Sequence, residues 1–154
     1  MTIRETILAV AAAVFLSSPP ALVAQDPLPD GDGKELVREL CASCHQVTTV
    51  VARRRGFDDW RITIEGMVSR GAGGTDEELA IVHRYLTRNF GVVNVNGAPA
   101  KEIEAVLPVS ADEAGAIVRY RDERGTFADL DSLKNVPALH GKQVDEWKDR
   151  ITFR

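Results

Sequence analysis

The stretch PAKEIEAVLPVSADEAGAIVRYR, residues 99–121, predicts two short helices joined by a tight turn. Apolar residues recur at helical spacing on both sides of Pro108, and a proline within such a pattern ends the helix that precedes it. Ser110 and Glu113 form a capping box, which opens a helix by satisfying its first backbone N–H groups. The centre of the C-terminal half is therefore predicted to be a helical hairpin.

A second hairpin is predicted directly downstream, with its turn at residues 136–141. The segments that identify the pair are Asn94-Val95-Asn96, Glu102-Ile103-Glu104-Ala105-Val106-Leu107, Ala116-Ile117-Val118, Tyr120-Arg121, Gly125, Phe127, Leu130, Leu133, Asn135-Val136 and Ile151-Thr152. In this order, residues 92–154 resemble the double helix-hairpin-helix domain of the ComEA-type competence proteins. The resemblance implies a turn in each hairpin with a glycine–apolar–glycine sequence, whose backbone N–H groups reach a DNA phosphate.

The turn glycines of that family are absent from this chain. Pro108 and Ser110 replace them in the first hairpin, and Ala138 and His140 replace them in the second. Residues 92–154 carry nine basic and eleven acidic side chains, and the whole chain has a formal charge of -4, so no general positive field attracts nucleic acid. The sequence therefore predicts that DNA is not a partner and that the domain docks a protein or has a structural role. DNA contact is the alternative.

A different motif marks the first half of the chain. Cys41-Ala42-Ser43-Cys44-His45 follows an amphipathic helix and has the C-x-x-C-H spacing of a haem-attachment site. Two thiols at this spacing add to the two vinyl groups of one porphyrin, and His45 then lies beneath the iron as a ligand. A thioredoxin-like redox pair and a plain disulfide are the alternatives.

A later helix opens with the capping box of Thr75 and Glu78. With this capped helix, residues 33–91 resemble a class I c-type cytochrome. The resemblance implies one covalent haem c on Cys41 and Cys44, with His45 and a methionine thioether as the iron ligands. Met67 is the only methionine after residue 24 and precedes a glycine-rich loop and the capped helix, so it is the predicted second ligand. Packing of Met67 in the core is the alternative. The interval from His45 to Met67 is 22 residues, and it resembles that of small cytochromes accompanying periplasmic dehydrogenases.

The N-terminal residues predict export. Residues 1–24 have the layout of a signal peptide, with Arg4, an apolar run and a small-residue end, and an uncleaved anchor is the alternative. Residues 25–32 are rich in Pro, Gly and Asp and predict a flexible leader. The basic run Arg53-Arg54-Arg55 is either a docking or propionate-binding surface or a solvated loop face.

These patterns together predict an all-α protein, with a small cytochrome c fold over 33–91 and a tandem helix-hairpin-helix domain over 92–154. Its composition, 44% hydrophobic and 27% charged, excludes a collagen-like or multi-span membrane chain. The predicted function is single-electron transfer in the periplasm by one haem c, without bond chemistry on a substrate and without stable membrane insertion after signal cleavage. The expected partner is a periplasmic redox protein, such as a dehydrogenase. The alternative function is a DNA-binding component of DNA uptake.

Overall fold

The computed structural model describes residues 26–154, so the predicted signal peptide lies outside the described residues. Its helices are α1 (Lys34–Cys41), α2 (Val47–Val51), α3 (Phe57–Val68), α4 (Asp76–Phe90), α5 (Ala100–Val106), α6 (Ala111–Arg124) and α7 (Leu130–Leu133), followed by the 3₁₀ turns Pro137–Leu139 and Val144–Trp147. The strands are β1 (Val93–Asn94) and β2 (Ile151–Thr152). The fold is therefore mostly helical. Within the described residues, no helix is long and apolar enough to cross a membrane.

Helices α1, α3 and α4 pack around a first cluster of buried apolar side chains, centred on Trp60, which has no exposed surface. The predicted capping box at the start of α4 is confirmed. The Glu78 N–H donates to the Thr75 hydroxyl at 3.3 Å, and the Thr75 N–H donates to the Glu78 carboxylate at 2.7 Å. These bonds satisfy backbone donors that a helix start otherwise leaves open.

The segment before α1 packs onto this first cluster. Leu28 is buried, and the Tyr85 hydroxyl donates to the Pro29 carbonyl oxygen at 2.5 Å. Lys34 lies 2.8 Å from the Asp26 carboxylate. Residues 26–32, where the sequence predicts a flexible leader, therefore lie against α1 and α4, because one leucine and one tyrosine hydroxyl fix the chain at two points.

A second buried cluster lies between residues 93 and 151 and is formed by the two hairpins. Helices α5 and α6 pack against each other as the first hairpin, and the predicted capping box of α6 is confirmed by the Glu113 N–H bond to the Ser110 hydroxyl at 3.2 Å. The last predicted helix is instead the 3₁₀ turn Val144–Trp147. Gln143, directly before it, makes no side-chain capping bond.

Two short parallel strands, which the all-α prediction omits, join the two ends of the second cluster. Val93 of β1 pairs with Ile151 of β2, and the Val93 N–H donates to the Arg150 carbonyl at 2.9 Å. Strands of two residues show no alternating pattern, so only the long-range pairing reveals them. Asn96 reinforces this closure, because its side-chain amide donates to the carbonyls of Phe127 and Phe153 at 2.8 and 3.0 Å.

Candidate nucleic-acid interface

The turn of the first hairpin has a buried centre and exposed flanks. Val109 is buried, whereas Pro108 and Ser110 on either side of it are exposed. The Ser110 N–H already donates to the Glu113 carboxylate at 2.7 Å, and Pro108 has no N–H. Neither flanking residue therefore offers a free backbone donor to an anion, although the turn itself lies at the surface.

The turn of the second hairpin repeats this arrangement. Leu139 is buried, and Ala138 and His140 beside it are exposed. The next residue, Gly141, has a φ of 80° and no atom within 4 Å of the place where a Cβ would stand. The turn therefore has an open glycine one position after the family's second glycine position, so the backbone here remains accessible to a large ligand.

One lysine links the two turns. The Lys142 ammonium nitrogen lies 3.1 Å from a carboxylate oxygen of Glu113, at the start of α6. The Ser110 backbone N–H, and then the Lys142 side chain, hold the pKa of Glu113 below its usual range. Sequence reasoning missed Gly141 and Lys142 as functional candidates. The Gly-Lys pair after the turn was the available signal, but it lies outside the family's glycine positions.

The four residues predicted to bind a cofactor lie elsewhere. Cys41, Cys44, His45 and Met67 all line one cavity of about 410 Å³ in the first cluster. Its wall is mostly apolar and includes Leu40, Val50, Trp60, Ile64, Leu79, Val82 and Leu86. The structure therefore brings the predicted site residues together around one space.

The donor atoms of these residues differ in their surroundings. Cys41 is half-buried, and burial raises the pKa of its thiol, whereas Cys44 is exposed. The Nδ1 atom of His45 is buried and has no hydrogen-bond partner. Met67 lies inside α3, ahead of the glycine-rich loop, and 38% of its surface is exposed. It therefore stands at the wall of the cavity and does not pack in the core.

Comparison with known proteins identifies the C-terminal hairpins. Residues 88–152 match the family described as helix-hairpin-helix motif, so the chain contains a helix-hairpin-helix domain. The ComE operon protein 1 of Bacillus subtilis (strain 168) is 30% identical over 63 residues, covering 41% of this chain and 31% of that protein. An uncharacterized protein of Haemophilus influenzae is 36% identical over 62 residues, covering 40% of this chain and 55% of that protein. No solved structure matches.

These similarities support the ComEA-like part of the sequence prediction. The chain spans about a third of the Bacillus protein and about half of the Haemophilus protein, and in both cases the identical stretch is little more than 60 residues long. The match at 88–152 begins within α4, a few residues before the boundary predicted from the sequence. The limits of the two domains stay a prediction.

The comparisons correct the leading functional prediction, a haem-carrying electron-transfer protein with a periplasmic redox partner. The matching family is a helix-hairpin-helix family, and neither it nor the ComE operon protein supports a cytochrome c fold. Between residues 26 and 154, no three His, Cys, Asp or Glu side chains converge closely enough to hold a metal ion. The prediction of haem c, iron and electron transfer is therefore wrong. That Cys41, Cys44, His45 and Met67 bind a ligand stays a prediction.

The prediction that DNA is not a partner is also wrong, because the matching family is one of helix-hairpin-helix domains. That prediction rested on the lost glycines and on the net charge. In the structure, the side chains that replace the glycines point to the surface while the apolar residue between them is buried, so the turns stay exposed. The net charge also hides the local grouping of charges, because chain folding collects residues that are far apart in sequence.

Proposed function

We propose that the chain is a non-enzymatic DNA-binding protein that works outside the cytoplasm, as a component of DNA uptake. The observation that carries this proposal is the helix-hairpin-helix match over 88–152, together with two surface turns of the same construction. Export rests on the predicted signal peptide of residues 1–24. The ligand is the phosphate backbone of duplex DNA, because the turns offer no set of side chains arranged to read bases.

The second turn is the main contact in this proposal. Gly141 leaves the backbone open, and Lys142 supplies a positive charge beside it. The Glu113 carboxylate shares that charge in the free protein, so a phosphate competes with it for the lysine. Binding of this kind does not depend on base sequence, and it weakens as salt rises.

A titration of the whole exported chain with fluorescently labelled duplex tests the proposal. Saturable binding is expected at about 50 mM salt, with a dissociation constant that rises steeply towards about 200 mM because counterions are released from the DNA. Lys142→Glu removes one phosphate contact, and a slope of about 0.9 per contact corresponds to roughly an eightfold loss at 0.1 M salt.

The control is Lys101→Glu, which makes the same charge change on an exposed residue in the first turn of α5. It is expected to retain most of the affinity. Absence of saturable binding at about 50 mM salt contradicts the proposed function. Equal losses in Lys142→Glu and Lys101→Glu would show instead that net charge alone, without the second turn, accounts for binding.

We also propose that the cavity of the first cluster binds an apolar organic ligand. Its support is the convergence of Cys41, Cys44, His45 and Met67 on one space of about 410 Å³, and the buried Nδ1 atom of His45 that has no partner. Concave, mostly apolar spaces of this size with a few polar atoms are typical of small-molecule sites.

The intact mass and thiol content of the exported protein test this second proposal. A covalent ligand adds to the mass of the chain and removes Cys41 and Cys44 from a thiol titration under denaturing conditions. For a non-covalent ligand, an apolar dye such as 8-anilinonaphthalene-1-sulfonate is expected to bind the purified chain, and Ile64→Trp, which fills the cavity, is expected to abolish dye binding. An unmodified mass together with dye binding that is the same in Ile64→Trp contradicts the proposal.

A further inference from the structure

Three arginines meet where the two buried clusters join. Arg54 precedes α3, Arg88 lies in the last turn of α4 and Arg150 precedes β2, so they come from distant parts of the sequence. Their guanidinium groups all donate to carbonyl oxygens at the ends of α4 and α5 or just beyond them. We refer to Arg54, Arg88 and Arg150 as the arginine cluster.

The contacts place this cluster beside the first hairpin turn. Arg88 donates to the carbonyl oxygens of Glu104 and Leu107 at 3.2 and 2.9 Å, and Leu107 directly precedes the turn. Arg150 donates to the carbonyl oxygens of Arg88 and Val106.

Arg54 completes the cluster from the side of the first buried cluster. It donates to the carbonyl oxygens of Asn89 and Gly91, at 3.1 and 3.4 Å. All three side chains therefore lie within one small region at the C-terminal ends of two helices, where backbone carbonyls favour positive charge.

The arginine cluster has more positive charge than its surroundings neutralise. Among residues 26–154, none of the three arginines has a carboxylate oxygen within 4.0 Å. The Nε atom of Arg150 is buried and has no hydrogen-bond partner. Burial, and then the charges of Arg54 and Arg88, lower the pKa of Arg150 to about 10. An anion at this position would relieve that repulsion.

We propose that the arginine cluster binds a phosphate group of the DNA backbone beside the first hairpin turn. This inference rests on the proposed function and adds a contact to it. The two residues that flank the centre of the first turn offer no open backbone donor, because Pro108 has no N–H and the Ser110 N–H is already bonded to Glu113. Guanidinium groups bind phosphate oxygens through paired N–H donors, so side chains supply here the donors that a glycine turn supplies through its backbone.

Exposure decides which members of the cluster reach the phosphate. Arg54 and Arg88 are exposed, whereas Arg150 is half-buried and also joins α4 to α5. Arg54 and Arg88 are therefore assigned the direct contacts with the phosphate. Arg150 lies deeper and adds positive charge without contacting the phosphate. Substitution of Arg150 would confound binding with folding, so the test uses the two exposed residues.

The test compares Arg54→Gln/Arg88→Gln with Arg61→Gln/Arg84→Gln in the full chain. The second pair makes the same charge change at exposed positions on α3 and α4, outside the cluster. Circular dichroism first verifies that both variants are folded. In a duplex titration, the cluster variant is expected to bind about 60-fold more weakly at 0.1 M salt, with a salt slope lower by about 1.8, from the contribution of two phosphate contacts.

A second probe separates this inference from the proposed function. Inorganic pyrophosphate is expected to raise the melting temperature of the wild-type chain and of the Arg61/Arg84 control, but not that of the cluster variant. Loss of the pyrophosphate effect in the cluster variant supports the phosphate site even if duplex binding fails. The inference is overturned if the cluster variant binds duplex as the control does, or if pyrophosphate stabilises no form of the chain. DNA binding through the second turn is tested separately, by Lys142→Glu.

Discussion

Gly91 lies at the end of α4, and we expect Gly91→Ala to destabilise the fold by steric overlap alone. Its φ of -79° is accessible to any residue, so the backbone conformation is not the reason. A Cβ at this position would lie 2.2 Å from the Thr87 carbonyl oxygen and 2.9 Å from Cγ2 of Val106. Thr87 and Val106 are both buried, so neither group moves away without disturbing its neighbours.

The expected cost follows from this overlap. Adding one methyl group to a packed interior costs about 1–3 kcal/mol, and the contact with a backbone oxygen places Gly91→Ala at the upper end of that range. For a chain of this size, about 1 kcal/mol corresponds to roughly 2–4 °C in melting temperature, so a decrease of roughly 6–12 °C is expected. Thermal unfolding followed by circular dichroism measures it.

The matched control is Gly73→Ala. Gly73 has no atom within 4 Å of the Cβ position, and its φ is not positive. An alanine here removes backbone freedom from the unfolded chain, so no loss, or a gain of up to about 1 kcal/mol, is expected. If Gly91→Ala and Gly73→Ala unfold at the same temperature, the close approach of α4 and α5 described here does not exist, and the reasoning is refuted.

Three further changes test other parts of the fold. Asn96→Ala removes the hydrogen-bond partner of two carbonyls and one N–H. The free energy of unfolding in urea is expected to fall by about 2–4 kcal/mol. An unchanged free energy would show that β2 pairs with β1 without the Asn96 side chain. Ser110→Ala removes the N-cap of α6 and is expected to lower the free energy of unfolding by about 1 kcal/mol. The control is Ser69→Ala, at the residue after the end of α3, for which no loss is expected. The Lys34 side chain, first among several contacts, lowers the pKa of Asp26 from 3.8 to about 2. The contribution of Asp26 to the attachment of residues 26–32 is therefore complete above about pH 4 and is lost as pH falls through about 2, while Leu28 and the Tyr85 hydroxyl still hold the segment. NMR shifts of Leu28 that stay constant across this range contradict the prediction.

The cysteine–histidine motif shows how far local chemistry carries a functional prediction. Cys41, Cys44 and His45 line one cavity, because residues within a five-residue segment cannot lie far apart, and that they bind a ligand there stays a prediction. The identity of the ligand was not determined by that spacing. Met67 reaches the same cavity from α3, ahead of the glycine-rich loop that the sequence places after it.

Charges from outside residues 92–154 lie beside the C-terminal domain in the folded chain. Counting nine basic and eleven acidic residues over 92–154 treats the domain as a uniform body. The arginine cluster draws Arg54 and Arg88 from outside that range, and the count therefore omitted two of its three charges. Local fields depend on which residues the fold brings together.

The sequence by itself determined the helical elements and their caps, because helical periodicity, capping boxes at Thr75 and Ser110, and breaks at glycine and proline act between residues a few positions apart. The order of the hairpin segments also identified the helix-hairpin-helix domain, since both turns lie within short, regular patterns. Tertiary structure alone decided the pairing of β1 with β2, the packing of residues 26–32 and the meeting of the three arginines. Each of these contacts joins groups separated by tens of residues. A local sequence pattern does not predict which distant groups meet, because that depends on the packing of the whole chain.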